Sequence, residues 1–287
     1  MFVDIHCHLS FPEFDLDRNQ VIERLIEEKV HVLVDPGVNV ATSKKSIELA
    51  RNYDFIYANV GLHPHEASQF VEESVFEELE TLAKSPKVVA IGEIGLDYHY
   101  PDYNEHAQQQ AFRQMLRLAH SLDMPVVIHC RDAWVDMLRI LNEESHSGMR
   151  GVMHCFSGDI VIAKECIRKG FKLSIPGTVT YKNSLLPDVI RQVSLDDLLT
   201  ETDAPYLAPI PHRGKRNEPA YIPLITGAIA RIREIPIEET AKGIAQNTYE
   251  LFRLSAPKIT AIFGIHQYAV ILKFRQTCLG LMPEYRK

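Results

Sequence analysis

Short apolar runs rich in Val and Ile recur along the chain, separated by longer stretches whose apolar positions repeat with helical spacing. FVDIH, HVLVD, FIYANV, KVVAIGE, PVVIHC, GVMHC, FKLSI and LLTETD predict eight strands. Seven helices are predicted between them; over 105–122, Ala111, Met115, Leu118 and Leu122 are spaced 4, 3 and 4 apart and line one face. Two more helices, near 220–234 and 237–252, follow the eighth strand. Asp132 and Asp159 precede helical runs, where an Asp side chain accepts from unpaired backbone N–H groups, so both are expected to be N-caps. The strand runs are nearly continuous in apolar residues, which implies burial on both faces, as in a parallel sheet covered by helices.

Eight strands alternating with helices over residues 1–252 predict an α/β chain folded as a single-domain (β/α)8 TIM barrel, an architecture of about 250 residues. An open doubly wound sheet is the structural rival. No GxGxxG or GxxxxGK[ST] turn follows the first strand, so a phosphate-cradling nucleotide site has no support in the sequence.

Composition narrows the possibilities. The net charge of -7 excludes a protein that coats nucleic acid with a broad basic face, because such binding is driven by Lys and Arg; any nucleic-acid contact is expected to be local or metal-assisted. Residues 253–287 differ, with six Lys and Arg against one acidic residue; their local +5 leaves -12 for the rest. They are expected to be a C-terminal extension of unassigned role. The chain passes from Met1 directly into a strand pattern, without a basic, apolar leader, and no stretch reaches about 18 uncharged apolar residues. A cytoplasmic protein with no membrane partner is expected. Cys7, Cys130 and Cys155 each follow a histidine within an apolar segment, and an odd total of 5 cysteines fits a reducing compartment.

The histidines carry the candidate chemistry. Side chains alternate faces along a strand, so in DIHCHL His6 and His8 project one way and Cys7 the other, into packing. His6 and His8, Glu93, His129, His154 and Asp203 fall at the C-terminal ends of the first, fourth, fifth, sixth and eighth predicted strands, which in a barrel meet on the active rim. One such histidine alone would be read as structural. Four imidazoles and two carboxylates suffice for two divalent ions, with Glu93 as the natural bridge, although one ion with some of these residues behind it is also compatible. A nitrogen and oxygen set without thiolate suits zinc, manganese, nickel or magnesium and does not choose among them. His31, His106, His120, His146 and His266 lack this placement and are read as surface or packing residues.

Taken in order, DIHCHL, VGLHPHE, GEIGLDY, IHCRDA, MHCFSG, ETDAPYL and RGKRNEP resemble the TatD family of metal-dependent deoxyribonucleases, across roughly residues 2–252. The resemblance implies a TIM-type barrel, divalent metal ions (zinc, magnesium or manganese) and hydrolysis of DNA phosphodiesters, often from a 3' end, as a 3'-5' exonuclease on single strands or strand ends. By match to its motifs, His6, His8, Glu93, His129, His154 and Asp203 are implied as metal ligands. We assign Asp203 and Glu93 catalytic roles as well, with Asp203 accepting a proton from the attacking water. His63 is expected to contact phosphate, with shaping of its loop as the alternative, and Arg213 and Arg216 of RGKRNEP are expected to meet the DNA substrate. Arg131 stays open between contacting phosphate, orienting a carboxylate and a structural role, and Asp97 and Glu218 between supporting the ligands and structural roles. The main alternative is a metal-dependent hydrolase of a small phosphoester or amide on the same barrel; a barrel kept for binding would show a broken ligand set, and none of the six positions is broken. The sequence leaves the oligomeric state open, a monomer being compatible with it.

Overall fold

The structure, a computed structural model, describes residues 1–255 apart from residue 72. Eight parallel strands pair in chain order: β1 (Phe2–Asp4), β2 (Val30–Pro36), β3 (Ile56–Val60), β4 (Val88–Asp97), β5 (Val126–Arg131), β6 (Gly151–Met153), β7 (Phe171–Ile175) and β8 (Leu198–Thr200). The ring comes round to its start, since Ile5 N donates to Thr200 O at 3.1 Å and Thr200 Oγ1 to Val3 O at 2.9 Å. The helices α1 (Arg18–Glu27), α2 (Val40–Asn52), α3 (Glu73–Ala83), α4 (Glu105–Ser121), α5 (Trp134–Glu143), α6 (Ile160–Arg168) and α7 (Leu186–Gln192) fall one in each connection. Then α8 (Ile222–Arg233) and α9 (Ile237–Phe252) follow β8. This is the predicted (β/α)8 barrel. Beyond residue 255 the expected extension lies outside the described residues.

Apolar strand positions such as Val3, Leu33, Ile56, Ile91, Val127 and Leu173 are buried, as sheet residues enclosed on both faces must be. On α4, Ala111, Met115 and Leu118 are buried along the predicted stripe, and Asn104 caps the helix by accepting from Ala107 N. Asp159 caps α6 as expected, accepting from Val161 N and Ile162 N. Asp132 does not cap α5. It adopts φ +54 and turns its carboxylate to His99 Nδ1 at 2.8 Å, while Ala133 occupies the cap position without a side-chain bond.

β1, β6 and β8 are shorter than the apolar runs that predicted them, and the difference bears on function. His6, His154 and Asp203 lie just beyond the last ladder residues, where the chain begins to turn. Cys155 and Asp203 take φ +46 and +53, a left-handed region that costs a non-glycine residue about 1–2 kcal/mol. Such strain is kept where it aims a side chain. Two glycines permit close backbone approach at the same end of the barrel. A Cβ on Gly61 would lie 2.4 Å from Gly92 C and 2.6 Å from Glu93 N; one on Gly95, at φ +142, would lie 2.0 Å from His129 O.

Candidate metal centre

The segment after β1 runs between β8 and β2 as an extended chain: Cys7 N donates to Val34 O, His8 N to Ala204 O, and Asp203 N returns a bond to His6 O. Alternation therefore continues past the ladder, with Cys7 packed outward and the His6 and His8 rings turned inward. Asp4 ties the two ligand-bearing segments together by accepting from His6 N, Thr202 N and Thr202 Oγ1. Burial pushes its carboxyl up to about 8 despite those bonds. Beyond His8, Ser10 is anchored through N and Oγ to buried Asp35, at 2.8 and 2.7 Å.

Glu93 lies at the middle of the cluster. Its Oε2 lies 3.3 Å from His6 Nε2 and 3.8 Å from His8 Nε2; its Oε1 lies 3.0 Å from His129 Nδ1, 3.2 Å from His154 Nε2 and 3.4 Å from His63 Nε2. Asp203 Oδ1 faces the first pair, 3.5 Å from His8 Nε2 and 3.9 Å from His6 Nε2. The structure thus brings all six predicted ligand residues together, and the two oxygens of one carboxylate look into two groups of imidazoles. Three sets have ligand atoms within 4.8 Å of one another: His6, His8 and Asp203; His6, Glu93 and His154; His63, Glu93 and His129.

The donor chemistry fits divalent cations. His6 Nε2 and His8 Nε2 face each other at 3.3 Å, and the Nδ1 atoms of both rings are buried without a partner, an arrangement that hydrogen bonding within the chain does not satisfy. Burial, aided by His154, lowers His6 to about 3, so its ring is neutral and can offer a lone pair. Burial alone would raise Glu93; the imidazoles of His154, His63 and His6 and the bond to His129 outweigh it and hold the carboxyl well below its usual range. The same carboxylates act on the rings. Against the opposing effect of burial, Glu201 and Glu93 raise His154 well above its usual value, and the bonds to Asp97 and Glu93 raise His129. The cluster attracts positive charge, and among the described residues no cysteine enters the three sets.

For His129, His154 and His63, the partner of the outer nitrogen determines what the inner nitrogen presents. His129 turns Nε2 to Asp97 Oδ2 at 3.1 Å, and His154 turns Nδ1 to Glu201 Oε1 at 3.1 Å. In its neutral form an imidazole that donates to a carboxylate on one side keeps a lone pair on the other, so a cation that displaces the proton shared with Glu93 would meet Nδ1 of His129 and Nε2 of His154. His63 is the opposite case. Its Nδ1 accepts from His65 N at 3.2 Å, which places the proton of the neutral ring on Nε2, facing Glu93. His63 therefore meets the centre as a hydrogen-bond donor.

Of the residues left open by the sequence, Asp97 is buried and also faces His65 Nε2 at 3.1 Å. Glu218 instead belongs to a surface ion network, accepting from Arg24 at 2.8 and 2.9 Å. Arg216 is engaged in that network too, bonded to Asp17 at 2.8 and 2.6 Å and to Glu218 at 3.1 Å. Its guanidinium is thereby held against carboxylates, whereas Arg213 is exposed and lies 4.4 Å from the centre of the Tyr181 ring. Glu201 is not among the candidate residues that the sequence motifs single out. The available signal was a Glu ending the apolar run LLTE two residues before Asp203, since a carboxylate there is buried and must find a donor.

Comparison with known proteins places this geometry among relatives. A family model described as TatD related DNase matches residues 3–253. The chain is 41% identical over 256 residues to the uncharacterized metal-dependent hydrolase YabD of Bacillus subtilis, covering 89% of this chain and 100% of that protein. It is 34% identical over 258 residues to the 3'-5' ssDNA/RNA exonuclease TatD of Erwinia amylovora, covering 88% and 99%. The crystal structure of YjjV, a TatD homologue from Escherichia coli, superposes with a TM-score of 0.84 at 32% identity, covering 88% of this chain and 98% of that one. Among the described residues, no helix is long and apolar enough to cross a membrane.

Proposed function

Because the chain belongs to the TatD-related DNase family and is a metal-dependent hydrolase, we propose that it hydrolyses DNA phosphodiester bonds, removing nucleotides from the 3' end of single strands or strand ends. The observation that carries this reading is Glu93, whose Oε2 faces His6 and His8 while its Oε1 faces His129 and His154. A carboxylate between two imidazole groups suits a pair of divalent ions, with His6, His8 and Asp203 on one side and His129 and His154 on the other. Ions bound there supply Lewis acidity towards a phosphoryl oxygen and make water a better nucleophile at neutral pH.

The chain's own residues supply the remaining roles. Asp203 turns Oδ1 to the imidazoles, and its side chain is 13% exposed, so Oδ2 is placed to take a proton from the attacking water. His63 Nε2–H donates to a non-bridging oxygen of the phosphate. Arg213 neutralises a neighbouring phosphate. The relative named as an exonuclease for single-stranded DNA and RNA supports a nucleic-acid substrate over an amide.

The test is a comparison of single-stranded DNA labelled at either end, RNA of the same sequence and a panel of amides, with metal-stripped protein and added magnesium, manganese or zinc. Stepwise release of mononucleotides from the 3' end, lost on chelation and restored by a divalent ion, is the expected result. Turnover of amides without nucleotide release would overturn the assignment.

A further inference from the structure

Apart from Met1, every large apolar side chain that is clearly exposed among the described residues lies in a connection leaving the C-terminal end of a strand, or in the first turn of the helix that follows. Tyr100 and Tyr103 follow β4, Val135 opens α5, and Tyr206 and Ile210 follow β8. Among the described residues the opposite end of the barrel has no such set. Exposed apolar groups gathered on one face mark a surface that meets something.

Of these aromatics, Tyr100 is built into the rim beside a cation, and Tyr206 lies on a connection that carries one, Arg213, whose guanidinium rests on the Tyr181 ring. The Tyr100 ring is 47% exposed, is met edge-on by His65 at 5.3 Å and His99 at 5.2 Å, and has the Arg131 guanidinium 5.6 Å from its centre. Through His65 and Asp97 this group is linked to His129. On the other side, Tyr206 is 49% exposed and presents its ring edge-on to His8 at 6.2 Å, and the same connection carries Arg213. Arg131 and Arg213 are exposed, and neither has a carboxylate partner among the described residues, unlike Arg216. β4 and β8 stand four strands apart in a ring of eight, so the two groups lie on opposite sides of the metal centre.

We propose that Tyr100 with Arg131, and Tyr206 with Arg213, form two stations that each hold a base and a neighbouring phosphate of one single nucleic-acid strand, which then crosses the metal centre between them. The inference rests on the nucleic-acid reading of the site. Its chemistry suits a chain of net charge -7: bases stack on aromatic rings without needing a basic surface, and two cations suffice to register two phosphates. Bases in a duplex are already stacked on one another, so the stations select unpaired strands.

The test is equilibrium binding, by fluorescence anisotropy, of a short phosphorothioate single strand and of an abasic strand of the same length. Tyr100→Ala and Tyr206→Ala are each expected to weaken binding of the base-bearing strand about tenfold, a loss of one stacking contact. Tyr100→Trp keeps the ring and is expected to keep the affinity, while the abasic strand binds Tyr100→Ala and wild type alike. Arg131→Ala and Arg213→Ala are each expected to reduce the slope of log affinity against log salt by about 0.7, as for one phosphate contact on a single strand. Equal losses on both strands, or no loss in the alanine variants, would overturn the stations. Cleavage of an unmodified strand by the wild-type chain is scored in parallel. Its absence with the tenfold difference retained removes the hydrolytic reading and leaves the stations, whereas cleavage without that difference removes the stations alone.

Discussion

Nδ1 of His154 lies 3.1 Å from Oε1 of Glu201, and both side chains are buried. Glu201 arrives on the segment after β8 and His154 on the segment after β6, 47 residues apart in the chain, yet the pair determines which nitrogen of His154 faces Glu93. The same Glu201 oxygen accepts from Cys155 N at 2.7 Å, so it also holds the left-handed turn that aims the ring.

Replacing Glu201 by Ala leaves the His154 ring without its acceptor and Cys155 N–H without its partner. Metal affinity is expected to fall about 10–100-fold, the usual cost of losing a group that orients a ligand. Titration calorimetry with a divalent ion measures this. An unpaired buried N–H costs about 1–3 kcal/mol, so a urea unfolding midpoint lowered in the metal-free protein accompanies it.

Asp97→Asn tests the opposite side of the centre. Both imidazoles lie 3.1 Å from the same oxygen, Oδ2, while Oδ1 accepts from His99 N; an amide carries no charge, and its NH2 group, on whichever side it lies, cannot accept from the donors there. Metal affinity is expected to drop by at least about tenfold. His65→Ala removes the outer partner of Asp97, a histidine whose side chain is 45% exposed, and leaves the Asp97–His129 bond in place. Its metal affinity is therefore expected to stay near wild type, and equal losses in the two variants would show that Asp97 does not act through His129.

Glu93→Ala removes the carboxylate that all the inward-facing imidazoles share. Turnover is expected to fall by at least about a hundredfold, since the charge stabilisation supplied by bound ions amounts to several kcal/mol. Metal analysis of the purified variant should show lower content than wild type, with a far-UV circular dichroism spectrum unchanged.

Gly61→Ala reaches the centre through packing alone. The new Cβ would have to displace the backbone of Gly92 and Glu93, which lies within 2.7 Å of its ideal position. A loss of about 1–3 kcal/mol in unfolding free energy is expected from overpacking, together with weaker metal binding as Glu93 moves. Normal stability with normal metal content would mean that the β3–β4 approach is looser than described.

Burial also makes a prediction about the thiols. It pushes Cys166 up to about 12 and raises Cys7, Cys130 and Cys155 well above the usual thiol value. A thiolate is the reactive form, so at pH 8 these four should label far more slowly in the native protein than after unfolding. Mass spectrometry of labelled peptides reads each site separately from Cys278, which lies outside the described residues.

Much of this protein is already determined by local pattern. Hydrophobic periodicity is a property of neighbours in sequence, so eight apolar runs and the helical stripes between them are enough for eight strands alternating with helices, while closure of the ring against an open sheet is seen in the bonds joining Ile5 and Val3 to Thr200. Alternation along DIHCHL was enough to turn His6 and His8 one way and Cys7 the other. The positions of Glu93, His129, His154 and Asp203 at predicted strand ends followed from the same pattern. Tertiary structure alone decided how the ends of those strands interact. Which nitrogen each ring presents depends on partners brought close only by ring closure, as with Glu201 and His154, or on a local turn, as with His65 N and His63. Likewise RGKRNEP offers Arg213 and Arg216 as equivalent cations, but Arg216 meets Asp17, 199 residues away in sequence, while Arg213 stays exposed at the rim. The reason is physical: secondary structure follows from interactions a few residues apart, whereas proton positions and charge pairing are set by the few groups that the closed barrel brings within 3–4 Å.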